Sequence, residues 1–347
     1  MGRSLVIVAL ALAAAGGIAA PAGSGALDPP DRPDGVLVLG VGGYDREVAA
    51  VTREWALTAD PRTGEGRRRR LAGGTLCHGP LLAVDEHVIF SGYRGRRAAV
   101  RALPISLVGP ARSLGLADTF APSAAPGRLW LARWSRPRGR RLRWSNRPSR
   151  VSLREVDGAG RETARAGALL PRFAQLHAAT AGGYLATEGR WLTLRQAGRE
   201  RPDLRAPDAW FAAAGASSFA WCRGRCRAFW VANRAGRRRL RPPPSLRLTG
   251  PEAAFSPDER WLAAGVTVRG QERVAVADVR NGRWTVVPES RLGGHEVMAW
   301  SPSGRWLYFT AGARRLFGWQ LGAKLAAPLP VRPHGTVMSI ATAEGRR

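Results

Sequence analysis

Few residues in this chain combine the type and the spacing that chemistry needs. The most definite group is Cys222-Arg223-Gly224-Arg225-Cys226. It stands between two strand-forming stretches, Ser218-Phe219-Ala220-Trp221 and Arg227-Ala228-Phe229-Trp230. A three-residue turn would set the two thiols opposite each other, within disulfide reach, and an oxidising compartment permits the bond. Two cysteines alone are too few for a metal site, and no histidine is near in sequence. Cys77 adjoins His78, but adjacent residues on a strand point to opposite faces, so a catalytic pair is not expected and Cys77 is expected to be free. His78, His87, His177, His295 and His334 share no metal-ligand spacing, and each reads as a surface or turn residue. There is no Gly-x-Ser-x-Gly hydrolase elbow and no phosphate-binding glycine motif after a strand. No catalytic residue, cofactor or metal is therefore expected.

Charge is the other chemical feature. Lys and Arg number 54 against 26 Asp and Glu, a net charge of +28, and Lys324 is the sole lysine. The runs Arg67-Arg68-Arg69-Arg70 and Arg237-Arg238-Arg239 are the candidate anion-contacting groups, with further arginines between Arg136 and Arg143. A planar guanidinium suits phosphate and carboxylate, and the summed field attracts polyanions. Two readings stay open: a solvated surface filled with arginine by a GC-rich genome, or a selected attachment to an anionic polymer or lipid surface. The arginines are dispersed and not gathered into a basic helix or tail, so a specific nucleic-acid partner is not expected.

The N-terminus reads as an export signal. Arg3 precedes a stretch from Ser4 to Leu27 without charge, and Ala20-Pro21-Ala22 offers small residues for cleavage after Ala22. Residues 1–22 are then a signal peptide or, if uncleaved, a membrane anchor, because about 20 apolar residues can span a bilayer. Residues 23–35 form a linker, and the folded domain is expected over 36–347.

A repeat must position everything after the linker. Phe255-Ser256-Pro257-Asp258-Glu259-Arg260-Trp261-Leu262-Ala263 aligns with Trp300-Ser301-Pro302-Ser303-Gly304-Arg305-Trp306-Leu307-Tyr308, 45 residues on. In each copy an aromatic ends a first strand and the segment from Ser256 to Asp258, or Ser301 to Gly304, makes a tight turn. A buried second strand then starts at the Trp. Asn281-Gly282 marks a hairpin between strands three and four. Weaker copies put second strands near 36, 88, 129, 184, 218, 261 and 306, a mean spacing of 45. Four strands in that span make one propeller blade. The second strand at Val36 lacks a first strand before it, whereas Thr336-Val337-Met338-Ser339-Ile340-Ala341 is a spare first strand at the other end. The expectation is an all-β chain, a single propeller of seven four-stranded blades closed by the C-terminal strand. Trp261 and Trp306 then belong to blade packing.

These two segments resemble the WD-like repeats of the TolB-type β-propeller family, which bacteria export. The match is clean in two blades and degenerate elsewhere. The family's usual Gly after the Asp is Glu259 in the first copy, and its Asp is Ser303 in the second. The family's namesake carries an α/β domain ahead of its propeller. No room for one exists between the signal and Val36, so its translocation role is not implied. The expected function is a non-catalytic, monomeric binding or scaffold module, secreted or associated with the cell envelope. Its partner would be a protein or an anionic envelope component, and it would touch membrane only through an uncleaved anchor. A secreted hydrolase or lactonase built on the propeller mouth, and electrostatic attachment to an anionic surface, are the alternatives.

Overall fold

The computed structural model describes residues 32–344 apart from 46–49, 72–80, 95–96, 124, 126, 135–147, 172–174, 181–182, 189–190, 197–203, 234–235, 291–296 and 313. The expected signal segment, Cys77, His78, His295 and the Arg136–Arg143 cluster lie outside the described residues. All regular structure within them is β.

The chain starts with β1 (Val36–Asp45), β2 (Ala50–Ala59) and β3 (Gly66–Arg70), which belong to blade 1. Blade 2 is β4 (Leu82–Val84), β5 (His87–Arg94), β6 (Arg97–Pro104) and β7 (Arg112–Leu116). Blade 3 is β8 (Thr119–Pro122), β9 (Arg128–Trp134), β10 (Pro148–Asp157) and β11 (Glu162–Pro171). Blade 4 is β12 (Gln175–Thr180), β13 (Gly183–Glu188), β14 (Trp191–Gln196) and β15 (Leu204–Pro207). Blade 5 is β16 (Ala209–Ala214), β17 (Phe219–Arg223), β18 (Phe229–Asn233) and β19 (Gly236–Leu240). Blade 6 is β20 (Leu246–Phe255), β21 (Trp261–Val268), β22 (Gln271–Asp278) and β23 (Trp284–Val286). Blade 7 is β24 (Met298–Trp300), β25 (Trp306–Ala311), β26 (Arg315–Gln320) and β27 (Ala327–Pro328). The last strand, β28 (Thr336–Ala343), returns to complete blade 1 in the order β28-β1-β2-β3. Each second strand begins within one residue of the position expected from the repeat.

Ring closure is as the repeat count required. β28 runs antiparallel to β1 from Val36↔Ala343 to Gly42↔Thr336, with a shift in register after Gly40. The first strands of successive blades meet around the axis, so β28 touches both β24 and β4. The core is a ring of seven apolar clusters, one at each blade-to-blade interface. Leu37 and Leu39 pack with Trp306 and Tyr308 of blade 7, while Val38 and Ala56 pack with Val88 and Phe90 of blade 2. Successive side chains on a strand point to opposite faces, so one second strand feeds two interfaces. That is why Leu129-Trp130-Leu131-Ala132 is an unbroken apolar run, all of it buried. Trp306 is buried and Trp261 packs at the edge of its cluster, as expected of blade residues.

Outer strands would be exposed edges, and the sequence blunts them. Those of blades 1 to 5 carry arginine, and those of blades 6 and 7 are three and two residues long, the latter ending in Pro328. Charge, proline and shortness are the usual protections against edge-to-edge pairing.

Candidate functional site

An even number of strands returns the chain to the same side of the ring at every blade. Turns between first and second strands therefore open on one mouth together. The two clean repeat turns superpose in chemistry. In blade 6 the Ser256 amide donates to the Trp261 carbonyl (2.9 Å), and the Trp261 amide donates to Ser256 Oγ (3.0 Å). The Ser301 amide and the Trp306 carbonyl (2.8 Å), with the Trp306 amide and Ser301 Oγ (3.2 Å), repeat the pattern in blade 7. Both serines are buried. Pro257 and Pro302 follow them at the first corner, where a fixed φ suits the turn. Gly304 takes φ 72° at the last corner, the left-handed region that glycine enters without steric cost.

The two departures from the family pattern have a structural explanation. Glu259 stands at the matching left-handed corner with φ 56°, a strained place for a side chain. Its carboxylate crosses to the matching turn of blade 5. It accepts from the Ser217 amide (2.5 Å), Ser217 Oγ (2.5 Å) and Ser218 Oγ (2.7 Å). In the first copy Ser256 Oγ donates to Asp258 Oδ1 (2.5 Å). In the second, Ser303 has no carboxylate of its own and receives one from outside. Asp34, just before β1, accepts from Ser303 Oγ (2.9 Å) and the Ser303 amide (3.2 Å), and its carbonyl accepts from Tyr308 Oη (2.7 Å). Burial, and then the nearby Asp34 carboxylate, raise the Tyr308 pKa well above its ordinary value. The link between Asp34 and blade 7 had no signal in the repeat.

Other carboxylates at this mouth are engaged in the same way. Burial pushes Glu155 up, but Ser123 Oγ (2.5 Å), Thr163 Oγ1 (2.7 Å) and Arg128 (3.2 Å) outweigh it and hold it below the usual range. Asp278 binds the amide of Arg280 (2.8 Å) and the side chain of Asn281 (3.0 Å), shaping the Asn281-Gly282 hairpin that the sequence announced. Among the described residues no three His, Cys, Asp or Glu side chains come together in a metal-holding group.

The two arginine runs lie on the outermost strands of blades 1 and 5, three blades apart in a ring of seven, and so on nearly opposite sides of it. Arg68 lies over Trp55 (5.5 Å), and Arg237 and Arg239 lie over Trp230 (5.1 and 5.6 Å). The alternate residues face the other way, toward the next blade. Arg69 donates to the Leu107 carbonyl (3.2 Å) and to that of Gly109, and Arg238 donates to the Val279 carbonyl (3.1 Å). Arg112 repeats the device on the Ala159 carbonyl (2.9 Å). In each case an outer-strand guanidinium ties its blade to the third turn of the next. Arg67 and Arg70 stay exposed.

Cys222 and Cys226 are bonded, with a Cα separation of 4.9 Å, and both are buried in the cluster between blades 5 and 6. The bond differs in place from the expectation. Cys222 stands opposite Phe229 in the ladder, and Cys226 is in the turn at φ 48°. The bridge therefore clamps the loop and does not span two strands. His177 was expected at a surface or turn. Instead it sits on β12 stacked on Phe211 (3.9 Å between rings), with Nε2 2.7 Å from Thr187 Oγ1. Burial lowers its pKa to about 4.

No protein-family model and no curated protein sequence matches the chain. Solved structures do resemble it. The propeller domain of the Trilobed protease from Pyrococcus furiosus, described as having an open velcro topology, is 8% identical at TM-score 0.57 over 87% of this chain and 93% of that one. A putative 6-phosphogluconolactonase from Bacteroides fragilis is 13% identical at TM-score 0.51 over 90% and 99%. TolB from Acinetobacter baumannii is 11% identical at TM-score 0.48 over 89%, and this chain spans 66% of its length. At these identities likeness speaks for the fold alone. The ring of blades and the β28–β1 ladder carry the conclusion by themselves: the chain is a seven-bladed β-propeller closed by its own C-terminal strand.

Proposed function

We propose that this propeller is a non-catalytic binding or scaffold module that works outside the cytoplasm, at the cell envelope. The observation that carries the reading is how the mouth uses its polar groups. Asp34, Glu155, Asp258, Glu259 and Asp278 each hold a turn or tie two blades. Groups held this way build a rigid rim of turns, which suits recognition by shape and charge. The Cys222–Cys226 bond and the uncharged N-terminal stretch support export. The partner is a protein or an anionic envelope component, bound by a single copy of the chain. A hydrolase or lactonase on the same mouth is the rival. Two measurements separate them: co-sedimentation of the purified protein with cell-envelope fractions, and turnover on a panel of lactones, esters and peptides. Binding without turnover is the expected result. Turnover abolished by Asp258→Asn or Glu259→Gln in a protein that stays folded would overturn the reading.

A further inference from the structure

Asn281 is the only asparagine in the chain that precedes a glycine. Such a pair carries a covalent reaction of its own, because glycine has no Cβ to keep its nitrogen from the preceding side-chain amide. Here the pair sits in the turn between β22 and β23, on the mouth that holds the Ser-Pro turns. Asn281 is exposed. Apart from its chain neighbours, no heavy atom stands within 4 Å of where a Cβ on Gly282 would lie. The pair is open to water.

The fold holds the two reacting groups apart from each other's use. The Gly282 amide donates to the Asp278 carbonyl (2.8 Å), so the nitrogen is occupied. The Asn281 side chain is fixed at both ends: Nδ2 donates to Asp278 Oδ2 (3.0 Å), and Oδ1 accepts from the Arg283 amide (2.8 Å). Asp278 is itself buried, accepts the Arg280 amide on Oδ1 (2.8 Å) and stands 3.7 Å from Arg260. The turn is also joined to its surroundings. The Val279 amide donates to the Arg260 carbonyl (2.8 Å), and Arg238 of blade 5 donates to the Val279 carbonyl (3.1 Å). One small turn thus connects the first turn of blade 6 with the outer strand of blade 5.

We propose that Asn281 is a self-modifying site guarded by the closed turn, and that opening of the turn converts it irreversibly to a carboxylate. In the open turn the Gly282 nitrogen gives its proton to hydroxide and bonds to Asn281 Cγ. The Cγ–Nδ2 bond breaks, and ammonia leaves after taking a proton from water. Water then opens the five-membered imide. Cleaving the bond from nitrogen to Cγ leaves an aspartate at this position. Cleaving the bond to the main-chain carbonyl leaves an isoaspartate, with an extra carbon in the backbone. Water is the sole co-reactant, and nothing is oxidised or reduced. Either product reverses the local electrostatics. The donor that faced Asp278 Oδ2 becomes an acceptor oxygen, and two carboxylates share one turn. Like charges so close repel, so the turn does not close again in the same form. The modification therefore records an opening of the rim and loosens the junction of blades 5 and 6.

The test follows Asn281 by peptide mass spectrometry in the full-length protein at mildly alkaline pH, native and in guanidinium chloride. Deamidation should be at least about tenfold slower in the native protein, since the turn must open first. The Gly282 amide gives an independent measure. Its protection from hydrogen exchange should match the protection of Asn281 within about threefold, because both need the same opening. Asp278→Ala should bring the native rate to within a few-fold of the unfolded one. If that variant does not fold, the exchange comparison in the wild type carries the test. Asn281→Asp should speed exchange at Gly282 and lower the melting temperature by a few degrees. Deamidation as fast in the native protein as in guanidinium chloride would overturn the guarded site. Asn281→Asp exchanging and melting like the wild type would overturn the claim that the product holds the turn open.

Discussion

Removing the closing strand is the most demanding test of the architecture. Deletion of residues 334–347 takes away β28 and leaves β1, still paired with β2 on its other side, with an open edge from Val36 to Gly42. Val337 is fully buried, and Met338, Ile340 and Ala341 pack partly against the clusters on both sides of blade 1. Counting one buried valine at about 2 kcal/mol, with half that for each of Met338 and Ile340, the direct loss is about 4 kcal/mol. Leu37, Val38 and Leu39 are completely buried and would lose part of their cover, which takes the total to about 5 kcal/mol or more. A whole domain is typically stable by about 5–15 kcal/mol, so this one strand represents a large share. Thermal unfolding followed by circular dichroism should show a melting temperature at least about 10 °C lower. If the truncated chain is insoluble, Val337→Ala in the full chain carries the test, with a cost of about 2 kcal/mol in urea unfolding. A truncated protein that melts within a few degrees of the full one would refute the closure argument.

Three further outcomes are expected. Mass spectrometry of a non-reduced digest should find Cys222 joined to Cys226 and Cys77 outside that bond. Cys222→Ala/Cys226→Ala should cost about 2 kcal/mol, as the chain-entropy model gives for so short a loop. Glu259→Ala should destabilise by about 1–3 kcal/mol, because three donors on Ser217 and Ser218 lose their acceptor while the left-handed corner remains. Glu259→Gly should cost less by about 0.5–1 kcal/mol, since glycine relieves the corner. His177 titrates near 4 in the fold and near 6.5 unfolded, so below pH 6.5 the unfolded chain binds the extra proton. Stability from this site is complete above about pH 6.5 and falls as pH drops toward 4, by at most about 3 kcal/mol. His177→Phe should flatten that part of a plot of melting temperature against pH, and an unchanged slope would show that other groups cause it.

By itself, the sequence determined the period, the number of blades and the point of closure. Each blade repeats the same local chemistry, a buried strand after a Ser-Pro turn, and local chemistry is legible residue by residue at 255–263 and 300–308. The orphan strands at Val36 and Thr336 followed from counting alone. Only the tertiary structure decided what the side chains between blades do. Glu259 reads as a flaw in a turn until the fold sets Ser217 and Ser218 beside it, 42 residues away in the chain. Asp34 and Ser303 are 269 residues apart, and no local pattern couples them. The arginine runs read as one kind of charge. The alternation of a strand splits them, one side covering tryptophan and the other bonding to the next blade. An even strand count returns every turn between first and second strands to one mouth, which is what sets the Ser217 and Ser218 turn of blade 5 beside Glu259 of blade 6.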